Sequence, residues 1–177
     1  METKKYLKER VNLLEQEVQS LKNKLKGKKT KKPKKLKLSA WIPKTDEDNL
    51  LNNYWKKIGG KLLVEVPVGG NHPALPWDHH CTTRRLDGVI IKGDDLGKYK
   101  CSHNIEGLKK LFKGKKVEII EVKKSINRTA IGQVVAGKTM FKQQYGIKNV
   151  KGVIVCGSGD SALEWVCKQH GIKVVKM

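Results

Sequence analysis

Along the first 26 residues, Leu7, Val11, Leu14, Val18, Leu21 and Leu25 recur in alternating steps of four and three, an apolar heptad seam across nearly three repeats. It predicts a coiled-coil helix over residues 1 to 26. With Val11 and Val18 at a and Leu7, Leu14 and Leu21 at d, the core favours a parallel two-stranded pairing. The flanking charges agree, since Arg10 would face Glu15 of a second copy and Glu17 would face Lys22. So short a seam is marginal for an isolated helix. It therefore points to a homodimer through residues 7 to 25, with a lone amphipathic helix on the protein's own body as the alternative.

From Ser39 onward the pattern is that of a globular domain. Leu50, Leu51, Tyr54 and Trp55 share one face of a helix from Asp46 to Lys57, with Thr45 or Asp46 as N-cap and Gly59-Gly60 as the stop. KLLVEVPV (61 to 68) and RRLDGVIIK (84 to 92) read as strands on either side of a Gly/Pro loop. GDDLGKYKCSHN (93 to 104) reads as a polar excursion before a short helix at about 105 to 112. KKVEIIEVKK (115 to 124) is a third strand and Asn127 to Tyr145 a long helix. VKGVIVCG (150 to 157) is a strand, Ser161 to His170 a helix with a Ser161/Glu164 capping box, and IKVVK (172 to 176) a closing strand. The fold class is α/β, a mixed sheet flanked by helices.

The third strand poses a chemical question. Ile119, Ile120 and Val122 mark it as core, yet Glu121 and Lys123 lie inside it, and charged side chains stay buried only when paired or bound to a metal. Strand alternation sends Glu121 and Lys123 to one face and Ile120 and Val122 to the other. It also places Glu118 opposite Glu121, where it should be dispensable for chemistry. In RRLDGVII the same rule groups Asp87 with Arg85 and Val89. If the two strands are neighbours, Asp87 lies beside Glu121.

Charge widens the picture. The chain carries 38 Lys and Arg against 17 Asp and Glu, a net charge of +21. Residues 1 to 38 hold 14 of the cations and 4 of the acids, so both parts of the chain are basic. Nucleic acid is the partner that fits, because phosphate neutralisation releases counterions. KGKKTKKPKKLKL (26 to 38) repels itself and predicts an extended arm, with Lys28, Lys29, Lys31, Lys32, Lys34 and Lys35 gripping phosphates. No segment approaches the roughly 18 apolar residues of a membrane span, nor the apolar core of a signal peptide. The expectation is a soluble, intracellular protein with no membrane contact, its four cysteines reduced and Cys156 and Cys167 in the core.

Two converging carboxylates would repel unless a cation sat between them. Mg²⁺, or Mn²⁺, suits such oxygen donors with an open coordination sphere. It would polarise a phosphoryl oxygen, with Lys123 orienting water or steadying developing charge. The implied chemistry is phosphodiester hydrolysis. Asn127 and Arg128, where the long helix begins, could meet phosphate, or Asn127 could simply cap the helix. Arg84 and Arg85 flank Asp87 as candidate backbone contacts. The loops at 69 to 84 and 93 to 104 are candidate substrate contacts.

Asp87 in one apolar strand, Glu121 and Lys123 in a later one, and a long helix after them together resemble the PD-(D/E)XK nuclease superfamily over about residues 45 to 177. The resemblance implies a restriction endonuclease-like core, αβββαβ, with an additional C-terminal αβ unit. The domains would then be a coiled-coil helix at 1 to 26, a Lys-rich linker at 27 to 44 and a nuclease-like domain at 45 to 177. It makes Asp87 and Glu121 metal ligands, joined by the Val122 main-chain carbonyl and, in some branches, by an acid of the first helix, here Glu47. Lys123 becomes the catalytic lysine, and NRTAIGQVVAGKTMF resembles the helix that carries a functional glutamine, here Gln133. Leu86 stands where the motif's proline would be. The function implied is a metal-dependent DNA endonuclease, a junction resolvase or repair enzyme rather than a site-specific one, with RNA a possible substrate as well. The alternative is a tethering protein that binds nucleic acid without cutting it.

Other signals carry less. DHHC at 78 to 81 matches a palmitoyltransferase signature, but those enzymes need membrane spans. His79, His80, Cys81, Cys101 and His103 lack the paired spacing of structural zinc sites. GSGDSA at 157 to 162 fits a strand-to-helix turn capped by Ser161 better than a dinucleotide site. Gly137 to Thr139 lies within a helix.

Overall fold

The computed structural model describes residues 2–26, 35–70, 75–77 and 81–177. The chain forms two compact units, Met1–Lys34 and Lys35–Met177. The first contains α1 (Glu2–Lys26), a single helix over the predicted span. On it Val11, Leu14, Val18 and Leu21 are about half exposed and form the expected stripe. Lys28, Lys29, Lys31, Lys32 and Lys34 lie outside the described residues, and Lys35 is exposed.

The second unit runs β1 (Leu38–Ala40), α2 (Asp46–Ile58), β2 (Lys61–Val68), β3 (Arg84–Ile91), β4 (Gly97–Cys101), α3 (Ile105–Phe112), β5 (Val117–Ser125), α4 (Arg128–Tyr145), β6 (Val150–Ser158), α5 (Ser161–Gln169) and β7 (Ile172–Lys176). Among the described residues the strands form one mixed seven-stranded sheet in the order β1-β4-β2-β3-β5-β6-β7. β2, β3 and β5 are antiparallel neighbours, whereas β5, β6 and β7 run parallel through the crossover helices α4 and α5. One face buries Leu51 and Tyr54 of α2 against Leu62, Ile90, Ile120, Val122 and Val153. The other buries α3, α4 and α5 through Phe112, Phe141, Tyr145 and Cys167. Cys156 is also fully buried there, and no helix among the described residues is long and apolar enough to cross a membrane.

Two strands escape the sequence pattern. The polar excursion at 93 to 104 contains β4, which pairs in parallel with β2 and antiparallel with β1. Its residues Lys98 and Lys100 hide the strand period. Lys98 is satisfied on the sheet by the Trp41 and Trp55 rings, at 5.7 and 5.6 Å, and by Asn52 Oδ1 at 2.9 Å. β1, only three residues long, lies within the segment read as linker.

Caps follow the predicted chemistry at two helices and depart from it at a third. Thr45 caps α2 in a reciprocal box with Asp48, and Asn127 caps α4. At α5 the cap is Asp160, whose Oδ1 accepts the Leu163 N–H at 2.9 Å, so the Ser161/Glu164 box does not form. A carboxylate one residue earlier serves the positive helix end better, and Glu164 instead pairs with Lys176 at 3.0 Å.

Candidate active site

The central pair of strands breaks its own period where the candidate chemistry lies. On β2, Leu62 and Val64 pack on the α2 side, whereas Val66 and Val68 pack on the α4 side. On β3, Ile90 packs on the α2 side and Leu86 on the other. The inversion falls at Glu65 and Asp87, between the Val64↔Gly88 and Val66↔Leu86 pairs. Glu65 takes a left-handed φ of 59°, uncommon for a residue with a Cβ. Strict alternation predicts Asp87 on a face with Arg85 and Val89, and this inversion parts Asp87 from Val89, which packs on the α4 side. The β3–β5 ladder ends at Gly88↔Ile120. One residue beyond it, Asp87 Oδ2 accepts the Val122 N–H at 2.9 Å.

α2 approaches closely at the same point. A Cβ on Gly88 would lie 3.0 Å from Leu51 Cδ1, so the bare backbone is what lets the helix settle there. Glu47 stands one turn before Leu51 on the same helix face and is carried in with it. It lines a cleft of about 460 Å³ together with Asp87 and Val122.

On β5 the alternation is regular. Glu121 and Lys123 leave the strand on the α4 side, opposite Ile120 and Val122. Glu121 is 4% exposed, and Lys123 Nζ donates to its Oε1 at 2.7 Å. Burial pushes the Glu121 carboxyl up to about 7, the Asp87 charge adds to this, and Lys123 only partly offsets it. Burial likewise raises Asp87 despite the Val122 N–H and Lys123, with Glu47 adding to the rise. The two carboxyls stand close enough to perturb one another, and negative charge on Asp87 disfavours a second on Glu121. Burial disfavours charge on Lys123, but Glu121, Asp87 and Glu47 together hold its pKa above the ordinary value.

This donor set fits a hard divalent cation. A buried and a half-buried carboxyl that cannot comfortably ionise together would be relieved by an ion between them. Among the described residues no three His, Cys, Asp or Glu side chains stand together as a ligand group. An ion here would therefore complete its shell with main-chain oxygen, water and phosphate, as Mg²⁺ commonly does.

The remaining candidates divide. Glu121, Gln133, Arg84 and Arg85 line one cavity of about 650 Å³ on the α4 side. Arg84 donates to the Thr82 carbonyl at 3.3 Å, and Arg85 to the Glu65 carbonyl at 3.3 Å with the Glu65 carboxylate 3.6 Å away. Asn127 Oδ1 accepts the Ala130 N–H at 2.8 Å, so its amide oxygen serves the helix. Arg128 is exposed beside it. His79 and His80 lie outside the described residues.

Sequence reasoning missed the place of Glu65, although an isolated glutamate in an apolar strand is the same signal that singled out Glu121. Glu118 does face away from Glu121, but it is no idle group. It is 3% exposed, accepts the Tyr54 hydroxyl at 3.0 Å and pairs with Lys92 at 2.7 Å.

The chain matches no protein-family model, and no curated protein matches it in sequence. Its structure is similar to that of a repair endonuclease from Pyrococcus abyssi, with 16% identity and a TM-score of 0.43 over 78% of this chain and 49% of that one. The chain thus spans about half the length of that enzyme. It is also similar to EndoMS in its apo form, with 12% identity and a TM-score of 0.33 over 81% of this chain and 99% of that one.

Proposed function

We propose that the protein is a divalent-metal-dependent endonuclease of the PD-(D/E)XK type that hydrolyses phosphodiester bonds of DNA. Its main support is the convergence of the Asp87 and Glu121 carboxyls, with the Lys123 ammonium 2.7 Å from Glu121, just past the end of the β3–β5 ladder in a chain of charge +21. Asp87 and Glu121 would hold Mg²⁺ or Mn²⁺, with the Val122 carbonyl as a further donor and Glu47 reaching the ion through water. Such an ion, when bound, polarises a phosphoryl oxygen and acidifies water.

The chain's own residues do the rest. Lys123, kept charged by three carboxylates, orients the attacking water and balances charge growing on the phosphate. Gln133, Arg84 and Arg85 steady the strand on the α4 side, and Asn127 and Arg128 meet phosphate where α4 begins. The lysine arm, from Lys28 to Lys35, adds affinity that does not depend on sequence. Residues 1 to 26 pair two copies, residues 27 to 44 connect, and residues 45 to 177 carry the chemistry. Two sites in a dimer would let each copy cut one strand.

A supercoiled plasmid with Mg²⁺ tests this reading. Wild type should nick and linearise it, and Glu121→Ala should leave it intact. Equal inertness of the two, or equal cutting, overturns the assignment. A panel of linear duplex, single strand, branched DNA and RNA should favour a junction resolvase or repair pattern over cutting at one sequence.

A further inference from the structure

Ile42 stands at the lip of the cleft that contains Asp87 and Val122, and it is 71% exposed. A bare isoleucine on a slack loop would need no explanation. This one is held on both sides. The Trp41 N–H donates to the Lys98 carbonyl at 3.2 Å, and the Trp41 ring lies 5.7 Å from the Lys98 ammonium. On the other side the N–H groups of Lys44 and Thr45 both end on Asp48 Oδ2, at 2.9 and 3.1 Å. Pro43 fixes one more dihedral between them. The loop thus holds an exposed Ile42 at the lip of the cleft.

The charges around it fit a polyanion. Lys44 and Lys100 line the same cleft, and both are exposed. Of the four carboxylates there, Asp48 is occupied by the two N–H groups and Glu65 lies against Arg85. Glu47 and Asp87 remain for the cation. An apolar tip that shares a cleft with two exposed lysines has the chemistry of a wedge for stacked bases.

We infer that Ile42 inserts between adjacent bases of a duplex next to the phosphate held at Asp87, and so selects steps that open easily. The inference rests on the reading of Asp87 and Glu121 as a nuclease site. Unstacking is easiest at mismatches, damaged positions and flexible pyrimidine–purine steps. The preference is therefore for deformability and not for base identity.

The experiment uses the full chain carrying Glu121→Gln, without divalent ion, and a duplex bearing a fluorescent adenine analogue that brightens on unstacking. Binding should raise the emission, and adding Ile42→Ala should abolish the rise while the melting temperature stays unchanged. In the cutting-competent chain, Ile42→Ala should slow cleavage of matched duplex by about tenfold or more and of a mismatched duplex by much less. Equal emission with and without Ile42 overturns the wedge. So does absence of any rise, which would leave Ile42 to a protein partner. An Ile42-dependent rise in a protein that never cuts would sink the nuclease reading and keep the wedge.

Discussion

Asp87 accepts the main-chain N–H of Val122 one residue past the end of the β3–β5 ladder, so a side chain takes over where strand pairing stops. The bond joins the two strands that carry the candidate acids and holds the Asp87 carboxyl in the path of Glu121. Asp87→Asn keeps an oxygen for this N–H but removes the charge. Its stability should stay within about 1 kcal/mol of wild type while cleavage falls by roughly a hundredfold or more. Asp87→Ala should lose the same activity and a further ~1–2 kcal/mol, because the Val122 N–H is left without its partner. Urea melts beside initial cleavage rates separate the two effects.

The raised pKa of Glu121 has a stability consequence with a definite sign. Unfolded, the carboxyl titrates near its ordinary 4.5, and folded it titrates near 7. Between those values the folded state binds the extra proton, so the favourable contribution is complete below the unfolded pKa and is lost as pH rises through the folded one. Metal-free protein should therefore lose thermal stability from pH 5 to pH 8. Glu121→Gln should flatten that slope and melt higher than wild type at the alkaline end. Mg²⁺ should raise the wild-type melting temperature more at pH 8 than at pH 5.5, since protons compete for the same oxygens. A pH-independent response to Mg²⁺ would place the ion elsewhere.

The two glutamates of β5 should behave in opposite ways. Glu118→Gln weakens the hold on Tyr54 and Lys92 in a buried site, and should lower stability by about 1–3 kcal/mol. Cleavage per folded molecule should not change. Denaturant titration and active-site normalised rates check the pair together.

Strand and helix positions were legible because periodicity is strong where one face is buried. β2, β5, α4 and β7 fall where the apolar spacing puts them. β4 was hidden because its cation Lys98 is satisfied by two tryptophans distant in sequence, a tertiary fact that no local pattern encodes. Glu121 and Lys123 stood out as charges inside an apolar run, and regular alternation was enough to put them on one face. For Asp87 alternation was not enough. Its orientation depends on the left-handed turn at Glu65, a residue more than twenty positions away that meets it only in the sheet. At α5 the sequence pattern fits Ser161 as well as Asp160, and only the backbone decides for Asp160.

Gly88 tests how α2 is coupled to the site. Alanine there would bring a methyl to 3.0 Å from Leu51 Cδ1 and 3.3 Å from Leu62 Cδ1, in a part of the core that is almost fully buried. Overpacking of this kind costs about 1–3 kcal/mol. Leu51 must give by a few tenths of an ångström, and a lift of α2 to provide it would carry Glu47 away from Asp87. Gly88→Ala should therefore weaken Mg²⁺ binding as well as stability, and adding Leu51→Val should recover part of both. Mg²⁺ titration followed by calorimetry on the single and double variants provides the check, and recovery of stability alone would detach Glu47 from the ion.

The helix α1 makes the last prediction. Val11, Leu14, Val18 and Leu21 form a half-exposed stripe along one side of it. Pairing two such stripes buries apolar surface at about 25 cal/mol per Å², and the opposed Arg10–Glu15 and Glu17–Lys22 contacts would favour parallel alignment. A seam this short should dimerise reversibly, so the particle mass should rise with concentration from one chain towards two. Val18→Lys puts a charge at a core position and should hold the protein at one chain without altering the unfolding of the sheet-bearing unit. In the cleavage assay the same substitution should shift the plasmid product from linear towards nicked, because a single site cuts one strand per encounter. Sedimentation equilibrium of wild type and variant decides the first point, and a mass of one chain for both at every concentration would leave α1 without a role in pairing.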